Sequence, residues 1–172
     1  MASAKASDAV RVIAAASAAG VTVGVAESLT GGSVCAALVA VAGASHVVRG
    51  GIVAYDPQLK VALLGVDPSL LETHGPVSAE VAAAMARGVR IATGADAGVA
   101  TTGVAGPESH GGKPPGTAFV AISIGGEIEV VAMDVTGDRQ SVRDAVRDTA
   151  LRALADTLTS LSADGRARRE HA

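Results

Sequence analysis

The chain has 172 residues, 49% of them hydrophobic and 18% charged, which fits a globular domain and excludes a disordered one. A formal net charge of −3, with one tyrosine, one phenylalanine and no tryptophan, leaves neither a basic field nor a stacking platform for nucleic acid. The single Cys35 excludes an intrachain disulfide and a cysteine-built zinc site, and no run reaches the ~18 apolar residues of a membrane span, the longest being Val34 to Ala44.

In chain order, Asp8 to Ala19 predicts a short amphipathic helix ended by Gly20. The preceding residues lack the order of charge, apolar run and cleavage site of a signal peptide, so a cytoplasmic location is expected. Val21 to Ala26 is a compact β-branched run that predicts a buried strand. Glu27 to Gly32 is a turn, and Ser33 to Ala42 an Ala-rich helix. Gly50 to Tyr55 predicts a second strand, followed by a short helix from Asp56-Pro57 through Leu64, with proline at a favoured early position. Ser78 is placed to cap a helix running to about Ala92, with Glu80 near its positive end. A third strand begins near Asp96 and includes Gly98 to Thr101, and a Gly/Pro-rich loop covers Gly103 to Gly116. Thr117–Ile124 and Ile128–Val135 flank Gly125-Gly126, a two-residue hairpin turn. Gln140 to Leu158 predicts a last amphipathic helix, and the polar stretch from Ser160 to Ala172 a frayed tail.

Strands alternate with helices until a hairpin closes the series. The fold class predicted is α/β, a three-layer α/β/α sandwich with a mixed sheet and helices on both faces. There is no linker and no internal repeat, so residues 1–172 form one domain with its core at about 7–159. With so few aromatics, the core must be built from Ala, Val, Leu and Ile on closely approaching elements. The Ala-rich helices fit self-association into a homo-oligomer and core packing equally well.

Five polar or Gly-rich segments interrupt the apolar pattern, and several follow strands, where sites collect in open α/β sheets. The turn Glu27-Ser28-Leu29-Thr30-Gly31-Gly32 opens a helix, so its N–H groups and the helix dipole favour an anion. Taken alone, the plainer reading is a tight turn in which Ser28 or Thr30 caps the helix. Ser45, after Gly43-Ala44, gains interest from Tyr55 and Lys60. A serine hydroxyl is a weak nucleophile until a base takes its proton, and lysine can serve once desolvation lowers its pKa. Arginine cannot, because it keeps its proton in proteins. Only Lys5, Lys60 and Lys113 occur against eleven arginines, so a lysine here has fewer bland explanations. On spacing alone, a solvated Lys60 and a strand-end Tyr55 remain the simpler account.

Thr102 and Gly103, in the run Thr101 to Pro107, could place N–H groups around a phosphate or an oxyanion. Gly137-Asp138-Arg139 precedes the last helix; Asp138 suits a cap, and Arg139 could pair with a phosphate or carboxylate. Arg143, Arg147, Asp144 and Asp148 read as a solvated helix face, and His46, His74 and His110 show no metal-ligand spacing. Cys35 reads as a small core residue.

Together these segments resemble the CinA carboxy-terminal domain family, the nicotinamide mononucleotide deamidases. The resemblance runs from about Val21 to Leu158. Its motifs are Ala26-Glu-Ser-Leu-Thr-Gly-Gly32, Gly50-Gly-Ile-Val-Ala-Tyr55 with Lys60, Leu64-Gly-Val66, His74-Gly with Val77-Ser78, Thr102-Gly-Val-Ala-Gly-Pro107, Lys113-Pro with Gly116-Thr117, and Gly137-Asp-Arg139. The family often has Cys where Leu29 stands, Ser where Ala44 and Asp56 stand, and Val where Pro115 stands. Leu29 removes a cysteine nucleophile at that position.

The resemblance implies an amidase that converts nicotinamide mononucleotide to nicotinate mononucleotide and ammonia in pyridine-nucleotide salvage, acting on a small-molecule nucleotide with no metal and no redox cofactor. Larger members add an amino-terminal domain linked with nucleotide pyrophosphatase activity, which the resemblance does not cover. It places Ser28, Ser45, Tyr55, Lys60, Thr102 and Arg139 in the site. We divide the roles as follows: Ser45 attacks the amide carbon, Lys60 is the base, Tyr55 relays or orients the proton, and Ser28 is the second candidate nucleophile. Glu27, Thr30, Gly31, Gly32, Thr102, Gly103 and Arg139 are expected to contact substrate, with the oxyanion near Thr30–Gly32 or Thr102–Gly103. The alternative is a non-catalytic nucleotide-binding or scaffold protein associated with competence and DNA damage.

Overall fold

A computed structural model describes residues 7–170, with side chains described through Leu161. Helix α1 (Asp8–Ala19) starts where the Ser7 hydroxyl accepts from the Val10 N–H and stops at Gly20. Gly20 adopts the left-handed conformation that glycine reaches at least cost. Strand β1 (Val23–Glu27) is buried along its whole length. Then come α2 (Ser33–Val39), a 3₁₀ turn at Ala44–His46, β2 (Val48–Val53), and α3 (Pro57–Leu64), capped by the Asp56 carboxylate on the Gln58 N–H. Next are α4 (Pro68–His74), α5 (Ala79–Thr93), β3 (Ala97–Gly103), β4 (Thr117–Ile124), β5 (Glu127–Asp134) and α6 (Arg139–Glu170).

The five strands form one sheet in the order β2-β1-β3-β4-β5. β1 pairs in parallel with β2 and β3, and β4 and β5 are added antiparallel, so the sheet is mixed as predicted. One face packs Val23, Val25, Val99 and Val120 against α1, α2 and α6. The other packs Ala26, Ala100 and Ala121 against α3 and α5. These are the three layers of the sandwich.

The second face is thin because its side chains are small. A Cβ on Gly98 would stand 2.1 Å from the Ala86 carbonyl of α5, and one on Gly88 only 1.8 Å from the Leu64 carbonyl of α3. Helix, sheet and neighbouring helix therefore touch through bare backbone, which is how a chain nearly free of aromatics fills its interior.

The structure differs most from the sequence reading in three helices, and β2 lies two residues earlier than the predicted Gly50 to Tyr55. α2 ends at Val39, and the chain then turns through the 3₁₀ segment. α4 was not predicted, although Asp67-Pro68 repeats the Asp-Pro start of α3 and the Asp67 carboxylate caps the Ser69 N–H. α6 runs on to Glu170, past the predicted end at Leu158; of the expected frayed tail, residues 171 and 172 lie outside the described residues. Among the described residues, no helix is long and apolar enough to cross a membrane.

Candidate active site

The parallel strands β1, β2 and β3 all point the same way, so the segments that follow them meet at one end of the sheet. There they enclose a cavity of about 370 Å³ lined by Ser28 after β1, Tyr55 and Lys60 after β2, and Thr102 and Gly103 at the end of β3. Arg139, the first residue of α6, closes the rim.

Lys60 is the largest fully buried side chain among the described residues, only 1% exposed. It lies in the first turn of α3, directed back under the end of β2, where its Nζ donates to the Ala54 carbonyl at 2.8 Å. Burial pushes the amine down to about 8, against a smaller opposing pull from the Asp56 carboxylate. A neutral amine is therefore accessible near physiological pH. Ser28 lies on the same cavity, largely buried, with its N–H donating to the Thr101 carbonyl at 3.1 Å.

Ser45 is elsewhere. It sits exposed on the 3₁₀ turn that precedes β2, whereas Lys60 follows β2. The six-residue strand between them separates the two by roughly 20 Å. Within one chain a Ser45–Lys60 couple is thus ruled out by the direction of one strand, and Ser28 is the serine that shares the cavity with Lys60.

The anion position at the start of α2 is already taken. The buried Glu27 carboxylate accepts from the N–H groups of Gly32 at 3.0 Å, Val34 at 3.1 Å and Cys35 at 2.8 Å. This supplies the cap that Gly32, lacking a side chain, cannot give. Glu27, Gly31 and Gly32 therefore build the turn and do not reach the cavity. Thr30 is buried as well, its hydroxyl 2.7 Å from that of Thr101. The Gly31 N–H donates to the Ser28 carbonyl and the Gly32 N–H to Glu27, which removes both from oxyanion binding. Among the described residues, the N–H groups of Leu29 and Thr30 donate to no other protein atom.

Thr102 does line the cavity, with its hydroxyl donating to the Pro76 carbonyl at 2.8 Å. Arg139 donates to the Gly106 carbonyl at 2.8 Å and to the Tyr55 hydroxyl at 3.0 Å, tying the loop after β3 to the loop after β2. Asp138 caps α6 through the Ser141 N–H at 2.8 Å. Tyr55 is 59% exposed and stands at the rim. The sequence reading missed Glu108 and His110, which enter the lining only through the fold of the loop after β3. It also placed Arg143 on a solvated face, whereas Arg143 binds the carbonyls of Leu29 and Thr30. Among the described residues, no group of three or more His, Cys, Asp or Glu could hold a metal ion.

Residues 5–158 match the model of a protein family described as the CinA C-terminal domain. Curated relatives include a CinA-like protein from Frankia casuarinae, 46% identical over 71% of this chain and 28% of that protein, and one from Geobacter sp. strain M21, 44% identical over 78% and 33%. The chain spans about a third of the length of such relatives. Among solved structures, a CinA superfamily protein from Klebsiella pneumoniae superposes with a TM-score of 0.85 at 34% identity, covering 89% of this chain and 96% of that one. A competence/damage inducible protein from Agrobacterium tumefaciens superposes with a TM-score of 0.83 at 36% identity, covering 91% and 98%.

Proposed function

Because the chain belongs to the CinA C-terminal domain family, we propose that it hydrolyses the carboxamide of nicotinamide mononucleotide to nicotinate mononucleotide and ammonia. The observation that carries this reading is the buried Lys60 amine, brought close to neutrality on the wall of the cavity that also holds Ser28.

In this mechanism Lys60 accepts the Ser28 proton as the Ser28 oxygen attacks the amide carbon. The Leu29 N–H, next to the nucleophile in sequence, receives the developing oxyanion. Lys60 then passes the proton to the amide nitrogen, the C–N bond breaks, and ammonia leaves. A water molecule, deprotonated by Lys60, attacks the acyl-serine ester. Release of nicotinate mononucleotide restores the Ser28 hydroxyl. Arg139 and Tyr55 at the rim suit the phosphate end of the substrate, one as a fixed cation and the other as a hydroxyl donor. A cavity of about 370 Å³ fits a mononucleotide-sized ligand.

The names of several relatives refer to competence and damage, the association that the scaffold reading invokes. A scaffold has no need to bury a lysine at a cost in stability, so catalysis is preferred. Purified protein would be offered nicotinamide mononucleotide, free nicotinamide and the intact dinucleotide, and ammonia release followed. Release from the mononucleotide well above the other two is expected. Calorimetric binding of the mononucleotide with no ammonia from any of the three would replace the amidase by the scaffold.

A further inference from the structure

Arg143 does not line the cavity, yet it is fastened to the turn that carries Ser28. Its Nε donates to the Leu29 carbonyl at 3.0 Å and its Nη2 to the Thr30 carbonyl at 3.2 Å, while Nη1 donates to the Gln140 side chain at 3.0 Å. A guanidinium thus directs three donors to neutral acceptors. The neighbouring Asp144 and Asp148, four-spaced charges that suggested a solvated face, pair with Arg147.

The turn needs holding. Gly31 and Gly32 are successive residues with positive φ, at 61° and 100°, and glycine has many other conformations open to it. The Glu27 carboxylate fixes the end of the turn that enters α2, and Thr101 fixes Ser28 and Thr30 from β3. On the carbonyl side, the Gly31 and Ser33 N–H groups donate to the Ser28 and Thr30 carbonyls from within the turn, and Arg143 ties the Leu29 and Thr30 carbonyls to α6, its Nη2 lying 3.5 Å from where a Cβ on Gly31 would stand. One helical turn earlier, Arg139 holds Gly106 and Tyr55. The start of α6 therefore grips both walls of the cavity.

We propose that Arg143 is a positioning residue, whose planar fork on the Leu29 and Thr30 carbonyls aims Ser28 into the cavity. This rests on the reading of Ser28 as nucleophile. A misplacement of about 1 Å can cost on the order of 10²-fold in rate without touching substrate affinity. Lysine keeps the charge but cannot span two carbonyls with a rigid fork.

The test compares wild type, Arg143→Lys and Arg143→Ala with nicotinamide mononucleotide as substrate, and follows amide hydrogen exchange at Gly31 and Ser33. For Arg143→Ala, kcat should fall roughly 10²-fold with KM within about threefold, millimolar guanidinium should restore part of the rate, and Arg143→Lys should lie between. Exchange should quicken in the turn and not in the core strands. A kcat within twofold of wild type overturns the proposal. So does a fall without guanidinium rescue that parallels global unfolding. If wild type itself releases no ammonia, the amidase reading fails separately; exchange in the turn then decides the positioning, and unchanged exchange in Arg143→Ala overturns it.

Discussion

Lys60 carries opposed demands of stability and chemistry. Burial holds its amine at about 8 in the folded chain, while an unfolded lysine keeps its proton to about pH 10.4. Between those values the unfolded chain binds more protons, so folding stability rises with pH across that window and is lowest, by about 3 kcal/mol, below it. Urea melts should show wild type gaining stability relative to Lys60→Met as pH goes from 7 to 10; a constant difference would contradict this. If the same amine is the base, kcat/KM rises through an apparent pKa near 8, and Lys60→Arg is inactive at every pH because its guanidinium keeps the proton. The rarity of lysine drew attention to Lys60, but spacing alone favoured a solvated side chain, and the family resemblance placed it in the site. Ser45 misled because nearness in sequence to Lys60 ignores a strand that carries the chain across the sheet. Glu27 misled because a carboxylate beside a glycine turn looks the same whether it meets a ligand or, as here, its own helix.

Between elements, helix α2 depends on that carboxylate. It has seven residues and a glycine N-cap, too short to persist by propensity alone. Charge-assisted hydrogen bonds contribute about 1.5–3 kcal/mol each, so Glu27→Ala should destabilise the chain by at least that much in chemical denaturation. A loss under 0.5 kcal/mol would mean the cap is incidental. Helix propensity favours Gly88→Ala by about 1 kcal/mol, but the new Cβ would stand 1.8 Å from the Leu64 carbonyl. Overpacking of roughly 1–3 kcal/mol or more wins, and the variant should melt at a lower temperature than wild type. The helix starts at Asp56, Ser78 and Asp138 were legible in sequence, because each side chain acts on a neighbouring amide. The contact at Gly88 was not, because its partner belongs to another helix.

For the whole molecule, alternation of strands and helices followed by a Gly-Gly hairpin was sufficient to give the layered α/β architecture and the mixed sheet. Strand order was not readable, and strand order decides which loops meet. Ser28, Lys60, Thr102 and Arg139 come from four separate segments and converge because β1, β2 and β3 end on one side, with α6 starting beside them. The first candidate serine falls at the opposite end of the same sheet. The most direct measurement of the account is the initial rate of ammonia release from nicotinamide mononucleotide by wild type, Ser28→Ala and Ser45→Ala. Ser28→Ala should lose at least 10³-fold while Ser45→Ala stays within twofold of wild type. A Ser28→Ala enzyme with near-normal turnover, or a dead but folded Ser45→Ala, would contradict it.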